Sequence, residues 1–177
     1  MATEACTIRE ATHADLPRVE QLYRMFLEET LWSRPGVRRN PRLDLPGVLA
    51  AYLHGRHAAV LAAELKGEVV AFACVELRPP TDRPLGLLGT IREFFAHPRT
   101  RPAVLSGAYG YLVHLFVEEP MRRKGIASAL VLASRAWVER RGGHALELNV
   151  LAQNAPARAL YCKLGMSESL VHYRMEF

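Results

Sequence analysis

One stretch limits the folds open to this chain more than any other: residues 109–143, YGYLVHLFVEEPMRRKGIASALVLASRAWVERRGG. Residues 109–117 read as an apolar strand. A short turn follows, and then Ile126, Leu130, Ala133 and Trp137 recur on one stripe of a helix over 126–141, which Gly142 and Gly143 close. Small residues at 125 and 127 leave successive backbone N–H groups uncovered where the helix dipole is positive, a setting that favours a phosphate. Arg122, Arg123 and Lys124 stand beside it. The spacing matches neither GxxxxGKS/T nor GxGxxG. By itself, therefore, the turn reads either as an ordinary helix start with a solvated basic loop or as an anion cradle.

The remaining pattern alternates between strand and helix. Residues 7–11 are a strand candidate, and 15–30 carry Leu16, Val19, Leu22, Tyr23, Phe26 and Leu27 at helical spacing. Residues 33–43 are a loop with Pro35, Gly36, Pro41 and four arginines but no acid. A second helix over 45–53 starts from Asp44 as N-cap with Pro46 in its first turn. Segments 58–64 and 68–77 form a hairpin across Lys66, Gly67 and Glu68. Residues 78–108 break the pattern with five prolines, carry a net charge of +3 and hold at most one short helix over 87–95. Connections that long are often functional. Residues 145–151 alternate as a strand, Asn154 caps a helix that runs through Leu164 to Gly165, and 166–177 end as a strand. This order implies a mixed sheet with helices on both faces.

Composition narrows the function classes. The 177 residues fit one domain over 1–177 with an irregular insertion at about 78–108, and a hydrophobic fraction of 50% excludes a disordered or collagen-like chain. No apolar run is long enough to span a membrane, and the N-terminus lacks the basic start and apolar stretch of a signal peptide. A cytoplasmic protein without a membrane partner is expected. Cys6, Cys74 and Cys162 are odd in number and widely spaced, which predicts reduced, mostly buried thiols and no metal site. The net charge of +5 rests on 20 arginines and three lysines, so an anionic partner is permitted. No helix-turn-helix, zinc-finger or RNA-sheet pattern accompanies it, and nucleic acid is not an expected partner.

Two motifs carry a specific resemblance. Arg122-x-x-Gly125-x-Ala127 after LVHLFVEEP resembles the acyl-CoA signature Q/R-x-x-G-x-G/A of the GNAT superfamily of N-acetyltransferases. Further on, NAPARALYCKLGM resembles that family's second signature, an Asn followed by a helix with LYxKxGF, and TIREATHADLPRVEQL resembles its usual opening. The resemblance implies an α/β fold with a mixed, mostly antiparallel central sheet of about six to seven strands and about four helices. In that fold a splayed strand pair forms the acyl-CoA cleft.

By the same resemblance, acetyl-CoA is the cosubstrate and no metal is needed. Arg122, Arg123, Lys124, Gly125, Ile126, Ala127 and Ser128 would wrap its pyrophosphate. Leu115, Phe116 and Val117 would lend backbone groups to the pantetheine arm, and an amide near Phe116 or Val117 would face the developing oxyanion. Asn154 would help hold CoA, and Tyr161, seven residues on and on the same helix face, would protonate the leaving thiolate. Arg123 departs from the family's frequent glycine. An alkyl ammonium of pKa ~10.4 must lose a proton before it attacks. His114 is the first candidate base, with Glu76, Glu118, Glu119 and Glu147 as others.

The expected reaction is direct acetyl transfer to a primary amine of a small molecule, one that also bears an acidic group if the arginine-rich segments line its pocket. A protein or peptide acceptor, or a non-catalytic acyl-CoA sensor, is the alternative. Relatives are often homodimers.

Overall fold

The computed structural model describes residues 6–32, 40–79 and 107–169. Five strands, β1 (Thr7–Glu10), β2 (Ala58–Leu65), β3 (Glu68–Arg78), β4 (Tyr109–Val117) and β5 (Leu146–Leu148), make one sheet in the order β1-β2-β3-β4-β5. The first three junctions are antiparallel and the last is parallel. Four helices accompany them: α1 (Leu16–Leu27), α2 (Leu45–His54), α3 (Ile126–Glu139) and α4 (Ala155–Lys163).

Each helix forms for a local reason. The Asp44 and Asn154 side chains cap α2 and α4 by accepting from Gly47 and Ala157 N–H, with proline in the first turn of each. At the entry to α1, Asp15 accepts from Thr12 N–H at 2.7 Å while both of its oxygens hold the Arg9 guanidinium, which also reaches Glu64 on β2. This bidentate pair fixes α1 against the β1–β2 edge. Beyond Leu27, α1 widens into a π turn over Glu28–Trp32, so the helical stretch expected over 15–30 ends as a π turn that runs two residues further.

The sheet separates two apolar layers. Val19, Leu22, Leu49, Phe72 and Phe116 pack where α1 and α2 cover one face, and Ala73, Val75, Leu130, Trp137 and Val138 pack under α3 on the other. Gly110 is required here, because a Cβ would lie 2.1 Å from Val138 Cγ2.

The described sheet holds fewer strands than the six to seven expected. Residues 166–169 form no strand, while 170–177 and the expected helix over 87–95 lie outside the described residues. The strand expected over 145–151 shortens to Leu146–Leu148 for a reason visible in β4. Cys74 pairs with His114 and Val75 with Leu112, leaving Val113 as an extra, bulged residue. The last β4–β5 pair is Leu112 with Leu148. A bulge bends its strand and increases its twist, so β5 parts from β4 where the bulge begins.

Because Arg9 holds the Asp15 carboxyl well below the usual carboxylate range, this pair stabilises the fold above the unfolded-state pKa of ~3.9 and loses that contribution as pH falls through the depressed folded value. Asp15→Asn is expected to cost about 1–2 kcal/mol in urea unfolding at pH 7, with the gap to the parent protein shrinking only below about pH 4.

Candidate active site

The parting of β4 and β5 exposes backbone on one edge of β4. Glu118 N–H donates to Val70 O at 3.1 Å, so in the alternating ladder Phe116 and His114 turn their backbone groups to β3 as well. Leu115 and Val117 therefore face the open edge. Arg122 Nε already occupies Val117 O at 2.9 Å, which leaves the N–H groups of Leu115 and Val117 and the carbonyl of Leu115 for a ligand. Of the two amides proposed from sequence to meet an oxyanion, only that of Val117 points the right way, and Leu115 joins it.

Behind the strand, the turn into α3 takes an unusual backbone. Arg123 has φ +65° and Gly125 φ +82°, both left-handed. No side chain caps α3, and its first backbone bond runs from Ala129 N–H to Gly125 O. The N–H groups of Ile126, Ala127 and Ser128 thus stand free for an anion. Ile126 is anchored in the core at 4% exposure while Gly125 is exposed. Arg123 and Lys124 are exposed beside the turn. Arg122, expected from sequence as a phosphate-side charge, has its guanidinium paired with Glu29 at 2.7 Å and 5.5 Å from the Phe116 ring centroid. It braces β4 against the end of α1.

Across the cleft, Asn154 is exposed and uses its Oδ1 as the cap of α4. Its amide nitrogen remains available to a ligand. Tyr161, two turns on, is half-buried against the α3-side core, and burial raises its hydroxyl pKa. All three cysteines are free, yet only Cys74 is fully buried: Cys6 is intermediate and Cys162 exposed. Cys162 is the neighbour of Tyr161 in sequence, and the helical turn carries it off the packed face.

On the other face of β4, the bulge turns His114 toward α1. Its ring lies 5.0 Å from both Tyr23 and Phe26. Burial pushes its pKa down to about 4, so this imidazole is neutral at pH 7 and brings no charge to the cleft. Of the other candidates, Glu118 is paired with Arg18 at 2.8 Å, Glu119 and Glu147 are exposed, and Glu76 accepts from Tyr52 at 2.6 Å. Sequence reasoning missed Tyr23 and Tyr52, because aromatics at helical spacing read as core. A cavity of about 400 Å³ between α3, β5 and residues 164–169 shares none of the expected CoA contacts. Among the described residues no His, Cys, Asp or Glu cluster could hold a metal, and no helix is long and apolar enough to cross a membrane.

An interrupted parallel strand pair backed by an anion-ready helix start is the architecture of the acyl-CoA N-acyltransferases. A sequence model described as "Acetyltransferase (GNAT) family" matches residues 19–166, and the chain belongs to that family. It is 32% identical over 140 residues, covering 75% of this chain and 74% of the other, to an N-alpha-acetyltransferase of Sulfurisphaera tokodaii. The aminoglycoside N-acetyltransferase AAC(6')-Iy, solved with the bisubstrate analogue CoA-S-monomethyl-acetylneamine, superposes with a TM-score of 0.69 at 20% identity over 98% of this chain and 99% of that one. A ribosomal-protein-alanine N-acetyltransferase from Brucella melitensis biovar Abortus 2308 gives 0.64 at 21% over 98% and 100%. The protein is a GNAT N-acetyltransferase with that family's fold.

The turn generates a paired expectation. Arg123→Gly relieves a left-handed side-chain-bearing residue and raises stability by about 0.5–1 kcal/mol. Gly125→Ala, whose added Cβ meets no atom within 4 Å and which so acts through the backbone alone, lowers stability by about 1–2 kcal/mol and weakens CoA binding. Thermal unfolding and calorimetric CoA titration of the two variants check both signs.

Proposed function

We propose that this protein transfers the acetyl group of acetyl-CoA directly to a primary amine of a small-molecule acceptor. The observation that carries the reading is the open edge of β4, where Leu115 and Val117 present backbone groups beside the free amides of the α3 turn. Arg123 to Ser128 receive the pyrophosphate, Leu115 to Val117 the pantetheine arm, and the Asn154 amide adds a further hold. Acetyl-CoA supplies an acetyl thioester, an acyl group already activated for attack. Val117 and Leu115 N–H face the carbonyl oxygen as charge develops on it. Tyr161, kept protonated by its burial, donates to the departing sulfur. His114, neutral and ringed by Tyr23 and Phe26, shapes the acceptor wall.

The arginines of 33–43 and 78–108, most of them outside the described residues, support an acceptor that also bears a carboxylate or phosphate. Similarity to the S. tokodaii N-alpha-acetyltransferase supports a second reading, in which the acceptor is the α-amino group of a protein or peptide.

An acceptor screen with thiol detection tests the reading, with amino acids, amino sugars, polyamines and short peptides as arms. Release of CoA thiol with one class identifies the acceptor; CoA binding without thiol release from any arm points to a sensor. With an acceptor in hand, Tyr161→Phe is expected to lower kcat by about 10²- to 10⁴-fold with CoA affinity unchanged, and undiminished turnover removes the tyrosine from the chemistry.

A further inference from the structure

Arg78, at the end of β3, has no part in the site as built so far. Phe72 and Cys74 belong to the layer on the α1–α2 side, and residues two apart on a strand share a face, so Arg78 projects on that side as well. Across the ladder Arg78 pairs with Tyr109, and Glu76 with Tyr111. The guanidinium leans back along the sheet, lying over the Tyr111 ring at 3.7 Å from its centroid against 5.9 Å for Tyr109. Tyr111 is one residue before the last β4–β5 pair. A positive charge therefore stands at the start of the splay, on the face where His114 packs with Tyr23 and Phe26.

The lack of a counter-charge sets this arginine apart. Among the described residues, Arg9, Arg18 and Arg78 are the partly buried arginines. Arg9 is paired with Asp15 and Glu64, and Arg18 with Glu68 and Glu118. No carboxylate among the described residues forms an ion pair with Arg78, and Glu76, two residues back, is engaged by the Tyr52 hydroxyl at 2.6 Å. The other described arginines without such a pair, Arg42, Arg56, Arg123 and Arg140, are exposed, and water serves them. Withdrawing a charge from water costs free energy unless an opposite charge offsets it. A guanidinium held by its flat face against an aromatic ring keeps the N–H groups on its edge for a planar anion.

We propose that Arg78 binds the anionic group of the acceptor, a carboxylate or phosphate remote from the amine that is acetylated. This rests on the transferase reading above and gives its acidic acceptor a receiving residue. Tyr111 precedes Leu115 by four residues of a bulged strand, roughly 10–13 Å. An anion at Arg78 and a nitrogen beside the open edge of Leu115 thus belong to opposite ends of one molecule. The arrangement selects ω-amino acids and aminoalkyl phosphates over amines whose acid sits on the adjacent carbon.

Matched acceptors test this: ε-aminocaproate and aminopropyl phosphate against hexylamine and glycine. Thiol release is one readout, and the thermal shift of the CoA complex is a second that needs no turnover. In the parent protein, kcat/KM is expected to be about 10- to 100-fold higher for the anionic ω-amines than for hexylamine, with the difference carried by KM. Arg78→Gln is expected to bring that ratio to about 1 and to abolish the thermal shift, with CoA affinity at the parent value. Arg78→Lys, which keeps the charge without the planar fork, recovers part of the preference. Parent protein with neither preference nor shift, a Gln variant that retains either, or glycine preferred to ε-aminocaproate overturns the assignment. Shifts that depend on Arg78 without thiol release from any acceptor overturn the transferase reading instead and leave the anion site standing.

Discussion

The extra residue at Val113 is the constraint on which the site depends. An antiparallel ladder keeps its partners in step, so β4 could pair along its whole length with β3 on one side and, at its start, with β5 on the other. With one residue inserted after Leu112, the strand bends and twists, and β5 cannot follow. The same insertion changes the facing of side chains. Leu112 packs under α3, Val113 and His114 lie toward α1, and Leu115 returns to the α3 side. A single local irregularity thus opens the edge, exposes the backbone of Leu115 and Val117, and turns His114 into the aromatic cluster.

An edge opened inside a sheet has unpaired backbone groups and needs support from elsewhere. Two arginines provide it. Arg18 of α1 donates to Val69 O and pairs with Glu118, while Arg122 donates to Val117 O and pairs with Glu29. Together they tie the start of β3 and the end of β4 to the first turn of α1 and to the turn that follows its last residue. The brace is polar on its rim and apolar within, where Phe26, Phe72 and Phe116 fill the space between helix and sheet. Rigidity at the end of β4 matters because donors aimed at a developing oxyanion act only if they are already in place.

The cleft's existence was legible in the sequence by resemblance, and its cause was not. Hydrophobic periodicity located α1 to α4 and the hairpin to within a few residues, since each follows from a cap, a proline or a repeat that is local. A bulge has no such signature: YLVHLFV alternates no differently with Val113 inserted than without it, and the shortening of β5 is a consequence of pairing across chain positions far apart. The tertiary partners of Arg122 were hidden for the same reason. Its sequence neighbours are cations, but its partners, Glu29 and Val117 O, come from tertiary packing. Tyr52 and Glu76 are 24 residues apart and on different elements, so neither marked the other in sequence.

The sheet around β4 also keeps the tyrosines of the two helical layers apart. Tyr161 packs with the α3-side core, whereas Glu76 and Tyr52 lie on the side of α1 and α2. The sheet keeps them apart, and in the proposed reaction a substrate lying between β4 and β5 would meet Tyr161 from the α3 side. The bulge that opens that gap is then as much a part of the proposed site as the side chains that flank it.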